Sequence, residues 1–500
     1  MDYTFPWEVV SLAGAGHFIA PERVSLRVVR TLRARRPLWR FLSRFARETA
    51  SRGGTAWLVG GIVRDLVDGK PGNDVDLMVT GLGFEDLGRT LRALPASRLG
   101  IRRIVAVGKH FPVYKVKAAW AAEDVDVAPA RSGTETGGGP APPEISGDAH
   151  WAAARADAGR RDLTINALMV RLWPVKGRLA AEVVDFFGGL DDLRRRIRGV
   201  ADPEARLRED PLRILRAIRQ KNERTGYAFD PRTWSAIRRI APERLAAVPG
   251  DRVATELVRA LAINPAGALD DLARAGILAL LIPEWRKLPP GAVARTKRRI
   301  ALLRRSIDAP PEAALLFAAL LADLAEAECR NRLRARKEAP PLPGAAGHGS
   351  RRTDRDGFAR LPGTEAVARR LRLPQLRRIV WLLEDLVRLG NIRLMANPNA
   401  RIEAIFGRWK KREELLALYG AAQRAAGRRV RDFRVVLRRA ARRPPLISGS
   451  DLLSAGVPEG AAIKSMLESV REATITGRVR SKIGAITLAR SLLSRQRKSR

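Results

Sequence analysis

At 500 residues with 46% hydrophobic content, the chain is long enough for three or four domains, each with a core of its own. A single cysteine, Cys329, excludes an internal disulfide framework or a thiolate metal cluster, and four scattered histidines (His17, His110, His150, His348) exclude a His-built zinc site, so any metal should be hard and carboxylate-bound. Ninety-three Lys and Arg against 53 Asp and Glu give a net charge of +40, which points to a polyanionic partner, with RNA or DNA ahead of an anionic membrane surface.

Residues 1–50 read as a basic N-terminal extension with a helical stretch, LWRFLSRFARETA, stopped at Gly53-Gly54. The N-terminal MDYTFPWEVV lacks a basic-then-apolar leader, and no apolar run reaches the ~20 residues of a spanning helix, so a cytoplasmic protein with no membrane partner is expected. From 55 to about 175 short apolar runs (AWLV, VDLMV, IVAVG, FPVYKVK, VDVA) alternate with turn signals, which places the sheet here. Within that region RSGTETGGGPAPPEISGD, 131–148, has too much Gly, Pro and small polar character to bury surface and reads as a mobile loop. From about 176 onward apolar residues recur at helical spacing, as in LRILRAIR and AALLFAALLADLA. The remainder is therefore predicted to be helical, with a disordered insertion at about 337–363 and a last helical unit ending in SRQRKSR.

The stretch VGGIVRDLVDGKPGNDVDLMV, 59–79, concentrates the chemistry. AWLVGG followed by IVRDLV reads as a strand, a tight turn and a helix start, where Gly60 and Gly61 let backbone N–H groups approach an anion and Arg64 can add a bidentate phosphate contact. In the next strand, NDVDLMV, Asp74 and Asp76 fall on one face and Val75 and Leu77 on the other. Carboxylates about 7 Å apart along a strand repel unless a divalent cation lies between them, and Mg2+, completing its shell with substrate phosphates, suits that role. Asp126 in VDVA could supply a third acid, with Asp124 or a structural role equally open.

Downstream, RRDLTINAL reads as a helix opening on two guanidiniums and an acid: Arg161 can hold triphosphate or ribose oxygens and Asp162 can accept from a sugar hydroxyl. In REDPLRILRAIR, Pro211 suits a first helical turn. Asp210, Arg213, Arg216 and Arg219 then share a stripe opposite Ile214, Leu215 and Ile218. An Asp accepting from an exocyclic amine and an Arg donating to ring acceptors can together admit cytosine and adenine and reject guanine and uracil.

These residues resemble the class II tRNA nucleotidyltransferases and their relatives, the bacterial poly(A) polymerases. GGIVRD with DVD, GRRDLTINAL (159–168), DFFGGLDDLRRRIRG (185–199) and REDPLRILRAIR (208–219) match the family's motifs in order, and VGKHFPVYKV (107–116) and the C-terminal PLISGSDLLSAGV segment are similar to it as well. The resemblance implies an α+β nucleotidyltransferase head, polymerase-β-like with a small mixed sheet, over 51–175, then an all-α remainder. That remainder comprises a neck with the base-reading helix (176–290), a degenerate HD-like body (291–440) and an RNA-binding tail (441–500). It assigns metal binding to Asp74 and Asp76, nucleotide contacts to Arg161, ribose selection to Asp162, base reading to Asp210 and Arg213, and further nucleotide contacts to Arg216 and Arg219.

Two departures stand out. In AALLFAALLADL the resemblance would place the histidine of a metal-dependent phosphohydrolase at Ala322, leaving Asp323 alone, so no such activity is expected. The segment after VDVA is RSGTETGGG (131–139), where similar enzymes are basic; it is thought to help the switch from C to A, which puts the terminal A addition in question. The expected function is template-independent addition of CCA, or part of it, to tRNA 3′ ends from CTP and ATP with Mg2+, and no protein partner is inferred. The alternatives are a poly(A) polymerase of the same family and an inactive RNA-binding protein.

Overall fold

In the computed structural model the chain forms two compact units, 1–245 and 246–500. The structure describes residues 18–498 except 109–111, 131–146, 309–310, 339–360, 374, 434–445 and positions within 392–411 and 458–478. The expected mobile loop thus lies outside the described residues except at 147–148, and the expected insertion except at 337–338 and 361–363.

The first unit opens with α1 (Glu22–Ala34) and α2 (Arg36–Ala50), followed by β1 (Thr55–Val59), α3 (Gly61–Val67), β2 (Asp76–Thr80), α4 (Phe84–Arg92) and α5 (Ala96–Leu99). Strands β3 (Ile101–Val107), β4 (Val113–Ala118) and β5 (Val125–Pro129), helix α6 (Gly147–Ala158) and the hairpin of β6 (Met169–Val175) and β7 (Arg178–Val184) come next. The seven strands make one sheet in the order β3-β4-β5-β2-β1-β6-β7. Only β2 and β5 run parallel; the other neighbours are antiparallel, so the sheet is mixed, as expected.

Both faces of the central strands are covered. Leu58 on β1 and Leu77 and Val79 on β2 join one core with Leu32, Phe41 and Phe45 of the N-terminal helices and Leu66 of α3. Trp57 and Met78 join a second core with Trp151 of α6 and Phe186. Strands buried on both faces need apolar residues at consecutive positions, which accounts for AWLV and DLMV. Trp57 is 0% exposed, donates to Thr80 Oγ1 (3.1 Å) and meets Trp151 edge-on at 5.6 Å. Truncating such a residue to alanine typically costs about 3–5 kcal/mol.

Two expected boundaries move. The stretch before 51 is no appendage, because α1 and α2 supply Val28, Leu32, Leu38, Phe41, Leu42 and Phe45 to the core of the sheet. The sheet also does not stop at 175: β7 pairs with β6 along its length, turning through Lys176 and Gly177, both at positive φ. The first unit closes with α7 (Gly189–Asp192), β8 (Arg196–Ile197), α8 (Pro203–Glu209), α9 (Leu212–Asn222), β9 (Ala228–Phe229) and α10 (Pro231–Arg244).

The described elements of the second unit are helices: α11 (Gly250–Ile263), α12 (Pro265–Arg274), α13 (Ile277–Leu281), α14 (Ala292–Arg305), α15 (Ala313–Glu338), α16 (Pro362–Arg370), α17 (Leu376–Gly390) and, later, Arg412–Ala425, Gly449–Ser454 and Lys482–Lys498. From Ala314 to Ala322 every residue of α15 is at most 1% exposed, as its all-round apolar sequence demands. Asp323 on this helix is paired with Arg299, which is 1% exposed and also donates to Ala319 O (2.8 Å), and with Arg295 (3.1 Å). Among the described residues no helix is long and apolar enough to cross a membrane.

Candidate active site

The site begins where β1 hands over to α3. Gly60 has φ +83°, ψ −151°, a conformation in which side chains are strained. A Cβ there would stand 2.9 Å from Asp76 Oδ2 and 3.5 Å from Arg161 Nη1. The turn, the acid strand and the second arginine motif therefore meet at one point, and only a residue without a side chain lets them.

Asp76 opens β2, while Asp74 lies two residues ahead of the strand, exposed, with Val75 buried between them. The two carboxyls interact. Burial first, then Asp74, raises the Asp76 pKa from 3.8 to about 6, against the opposing charge of Arg161. Asp74 is itself raised, by burial and by Glu123 and Asp126. Asp126 stands beside Asp76 in the parallel register of β2 and β5. Its carboxylate accepts from Lys115 Nζ at 2.7 and 3.0 Å, and this bond raises the Lys115 pKa. Among the described residues no three His, Cys, Asp or Glu side chains are arranged to hold a metal by themselves. Asp126, expected as a possible third ligand, thus stands beside Asp76 with its charge met by an ammonium group.

The segment carrying Arg161 and Asp162 is not the helix expected from sequence. It bends at Asp162 into a short 3-10 turn, Thr164–Asn166. Asp162 accepts from Leu163 N (2.9 Å) and Asn166 Nδ2 (2.8 Å) and lies 3.1 Å from Arg216 Nε. Burial alone would raise this carboxyl, but Arg216, Asn166 and the Leu163 amide outweigh it and hold it below the usual range. The contact with Arg216 is close in charge yet poorly aligned: Arg216 Nε, Asp162 Oδ2 and Arg161 Nε are buried without a hydrogen-bond partner.

Helix α9 runs as its pattern predicts, with Ile214, Leu215 and Ile218 buried. Asp210 Oδ1 accepts from Leu212 N (3.2 Å) at the helix start. Arg213 donates to Arg160 O (2.9 Å), Arg206 O (3.0 Å) and Glu209 (3.2 Å), and Arg219 pairs with Glu223. Arg64 Nη1 donates to Asn166 Oδ1 (2.7 Å) and Gln220 Oε1 (3.1 Å), so it ties α3 to the second motif and to α9. That contact makes Arg64 a tie between motifs, beyond the phosphate contact expected of it. Gly61, at the first position of α3, has only Arg64 Nη2 near its missing Cβ, at 3.6 Å.

The third motif, for which the sequence suggested no residue roles, is a brace. Asp185 accepts from the amides of Phe187 (3.2 Å), Gly189 (2.8 Å) and Leu190 (2.9 Å). Asp192, 0% exposed, accepts from Thr164 Oγ1 (2.7 Å) and Arg198 Nε (2.7 Å), which fixes the 3-10 turn from below. The acids flanking the glycine pair were the signal in DFFGGLDD; only the fold shows that Asp192 is buried while Asp191 is exposed.

Residues 56–198 match the family described as "Poly A polymerase head domain", and 226–288 match "Probable RNA and SrmB- binding site of polymerase A". Over its head region the chain is similar to the CCA-adding enzymes and poly(A) polymerases. It is 33% identical over 242 residues to the "Multifunctional CCA protein" of Paracidovorax citrulli, covering 46% of this chain and 51% of that protein. To "CCA tRNA nucleotidyltransferase 1, mitochondrial" of Danio rerio it is 30% identical over 274 residues, 54% of this chain and 57% of that one. The chain thus spans about half the length of the curated relatives it matches. Two solved structures share the fold at 20% identity over 93% of this chain and 98% of theirs: a CCA-adding enzyme with CTP (TM-score 0.60) and Thermotoga maritima CCA-adding enzyme complexed with tRNA (TM-score 0.56). The match to the head-domain family suggests a divalent metal, and the hard oxygen donors of Asp74 and Asp76 and the repulsion that Asp74 exerts on Asp76 fit one.

Proposed function

We propose that this protein is a template-independent nucleotidyltransferase that adds CCA, or part of it, to tRNA 3′ ends from CTP and ATP, in the cytoplasm and with Mg2+. The observation that carries this reading is the meeting of Gly60, Asp76 and Arg161 at one point, with Asp162 and Arg216 one step further.

Asp74 and Asp76 would hold the metal, which supplies Lewis-acid activation of the α-phosphate and charge neutralisation of the leaving pyrophosphate. The start of α3 at Gly60-Gly61 presents backbone N–H groups to the triphosphate, and Arg161 places its guanidinium beside the same phosphates. Asp162, kept ionised by Arg216 and Asn166, is ready to accept from a ribose hydroxyl. Asp210 and Arg213, at the start of α9, present an acceptor and a donor to the base edge, the pattern that cytosine and adenine share. The tRNA 3′-oxygen forms its bond to the α-phosphorus as the bond to pyrophosphate breaks, and the enzyme forms no covalent intermediate. Its contribution is position and charge. The basic helical half of the chain would bind the tRNA.

The test is incubation of the purified protein with Mg2+, labelled CTP or ATP, and tRNA lacking its last three nucleotides. Incorporation of CTP supports the proposal and excludes a pure poly(A) polymerase. Incorporation of ATP alone favours that alternative, and incorporation of neither favours an RNA-binding protein. Asp76→Ala should abolish transfer and leave tRNA affinity intact.

A further inference from the structure

Asp74 precedes β2, so the sheet does not fix it. On its C-terminal side the chain is first held at Val75 O, which accepts from Asp126 N at 3.0 Å. On its N-terminal side two carbonyls are held by a side chain from far earlier in the sequence. Arg35 Nη1 donates to Pro71 O (2.7 Å) and Gly72 O (2.5 Å). Arg35 is the corner residue between α1 and α2, ahead of the segment that matches the head-domain family. The same connection is gripped at its start by Arg27, whose Nη1 donates to Val67 O (3.2 Å) at the end of α3. Gly72, at φ +56°, is seated on Ile62 of α3, where a Cβ would stand 2.8 Å from Ile62 Cγ1. The loop is thus held between Arg35 on one side and α3 on the other, which ties the chain down two residues ahead of Asp74 and again one residue after it.

We propose that Arg35 is a positioning residue for the metal-binding acid pair, acting through the 71–72 carbonyls to hold Asp74 at the distance that two ligands of one cation require. This rests on the reading of Asp74 and Asp76 as metal ligands. It gives the N-terminal helices a part in the chemistry, although neither helix carries a motif residue. A guanidinium suits the task because it bridges two adjacent carbonyls, whereas an ammonium group is a less directional donor.

The test is Mn2+ binding to the RNA-free protein, read by electron paramagnetic resonance, in wild type, Arg35→Met, Arg35→Lys and, as a control for lost surface charge, the exposed Arg30→Met. Arg35→Met should bind Mn2+ at least fivefold more weakly, with kcat for CMP transfer down more than tenfold, KM for tRNA within twofold, and the Mg2+ concentration for half-maximal rate raised. Arg35→Lys should recover part of each, and Arg30→Met should match wild type. Wild-type Mn2+ affinity in Arg35→Met overturns the proposal even if activity falls, and so does an equal loss in Arg30→Met. If circular dichroism shows Arg35→Met unfolded, Arg35→Lys decides: weaker Mn2+ binding than wild type supports the proposal and equal binding overturns it. A wild-type protein that binds Mn2+ but transfers no nucleotide would defeat the functional reading while leaving this comparison intact.

Discussion

Gly60 lies directly against Asp76: a Cβ at position 60 would stand 2.9 Å from the carboxylate oxygen, inside any normal contact. Gly60→Ala therefore meets two costs. The backbone conformation is one that only glycine tolerates well, worth about 1–3 kcal/mol of strain. The added methyl group would also displace Asp76. We expect a folded protein with a lower melting temperature and a kcat reduced about 100-fold, since displacements of an ångström at reacting groups have effects of that size. Thermal unfolding together with single-turnover CMP incorporation checks this; full activity in Gly60→Ala would show that the turn is not at the reacting centre.

The raised Asp76 pKa makes metal binding and stability respond to pH in opposite senses. In metal-free protein Asp76 takes up a proton near pH 6, above its ordinary 3.8, because burial and Asp74 disfavour its charge. The folded-state value is the higher one, so this contribution to stability is complete below about pH 3.8 and is lost as pH rises through about 6. Mn2+ affinity should instead fall by up to about tenfold per unit as pH drops below that value, because ion and proton compete for one carboxylate. Titrations between pH 5 and 8 measure it, and a pH-independent affinity would place the ion elsewhere.

Lys115 keeps Asp126 from adding a third uncompensated negative charge beside Asp74 and Asp76. Lys115→Met should lower the melting temperature of the metal-free protein and tighten Mn2+ binding several-fold, because the cation then takes over the neutralising role. Unchanged Mn2+ affinity would put Asp126 outside the field of the ion.

Asp192 offers a test of the brace beneath the nucleotide-binding turn. Asp192→Asn removes the charge that meets Arg198 and Arg196 but keeps an amide oxygen where Thr164 and Arg198 both donate, the single carboxylate oxygen Oδ2, at a cost of about 1–3 kcal/mol. Nucleotide KM should rise several-fold as the Thr164–Asn166 turn loosens, with Mn2+ affinity unchanged. A rise in Mn2+ dissociation constant would mean that the brace also carries the acid pair.

The two central strands and the buried face of α9 were legible from residues alone because their burial is set by period: continuous apolar runs for two-sided strands, and Ile214, Leu215 and Ile218 on one arc of a helix; Asp74, read as part of the second strand, lies ahead of it. What stayed hidden was decided by distant partners. Residues 162–166 carry a local helix-start signal, yet Arg216 pulls on Asp162 and Asp192 holds Thr164, and the segment folds as a single tight turn. The β6–β7 hairpin turns on Lys176-Gly177, two positive-φ residues of the kind such hairpins favour, but it falls where helical spacing begins to dominate the sequence. In α1 and α2 the abundance of arginine masked the stripe of Val28, Leu32, Phe41 and Phe45 that seats them on the sheet.

Asp323 in the second unit, with alanine rather than histidine before it, has its charge answered by Arg299 and Arg295 from the facing helix. A cation that belongs to the polypeptide cannot be stripped by a chelator, exchanged for a competing ion or withheld by scarcity. The helical half should therefore melt at the same temperature with and without EDTA, a result that differential scanning calorimetry checks.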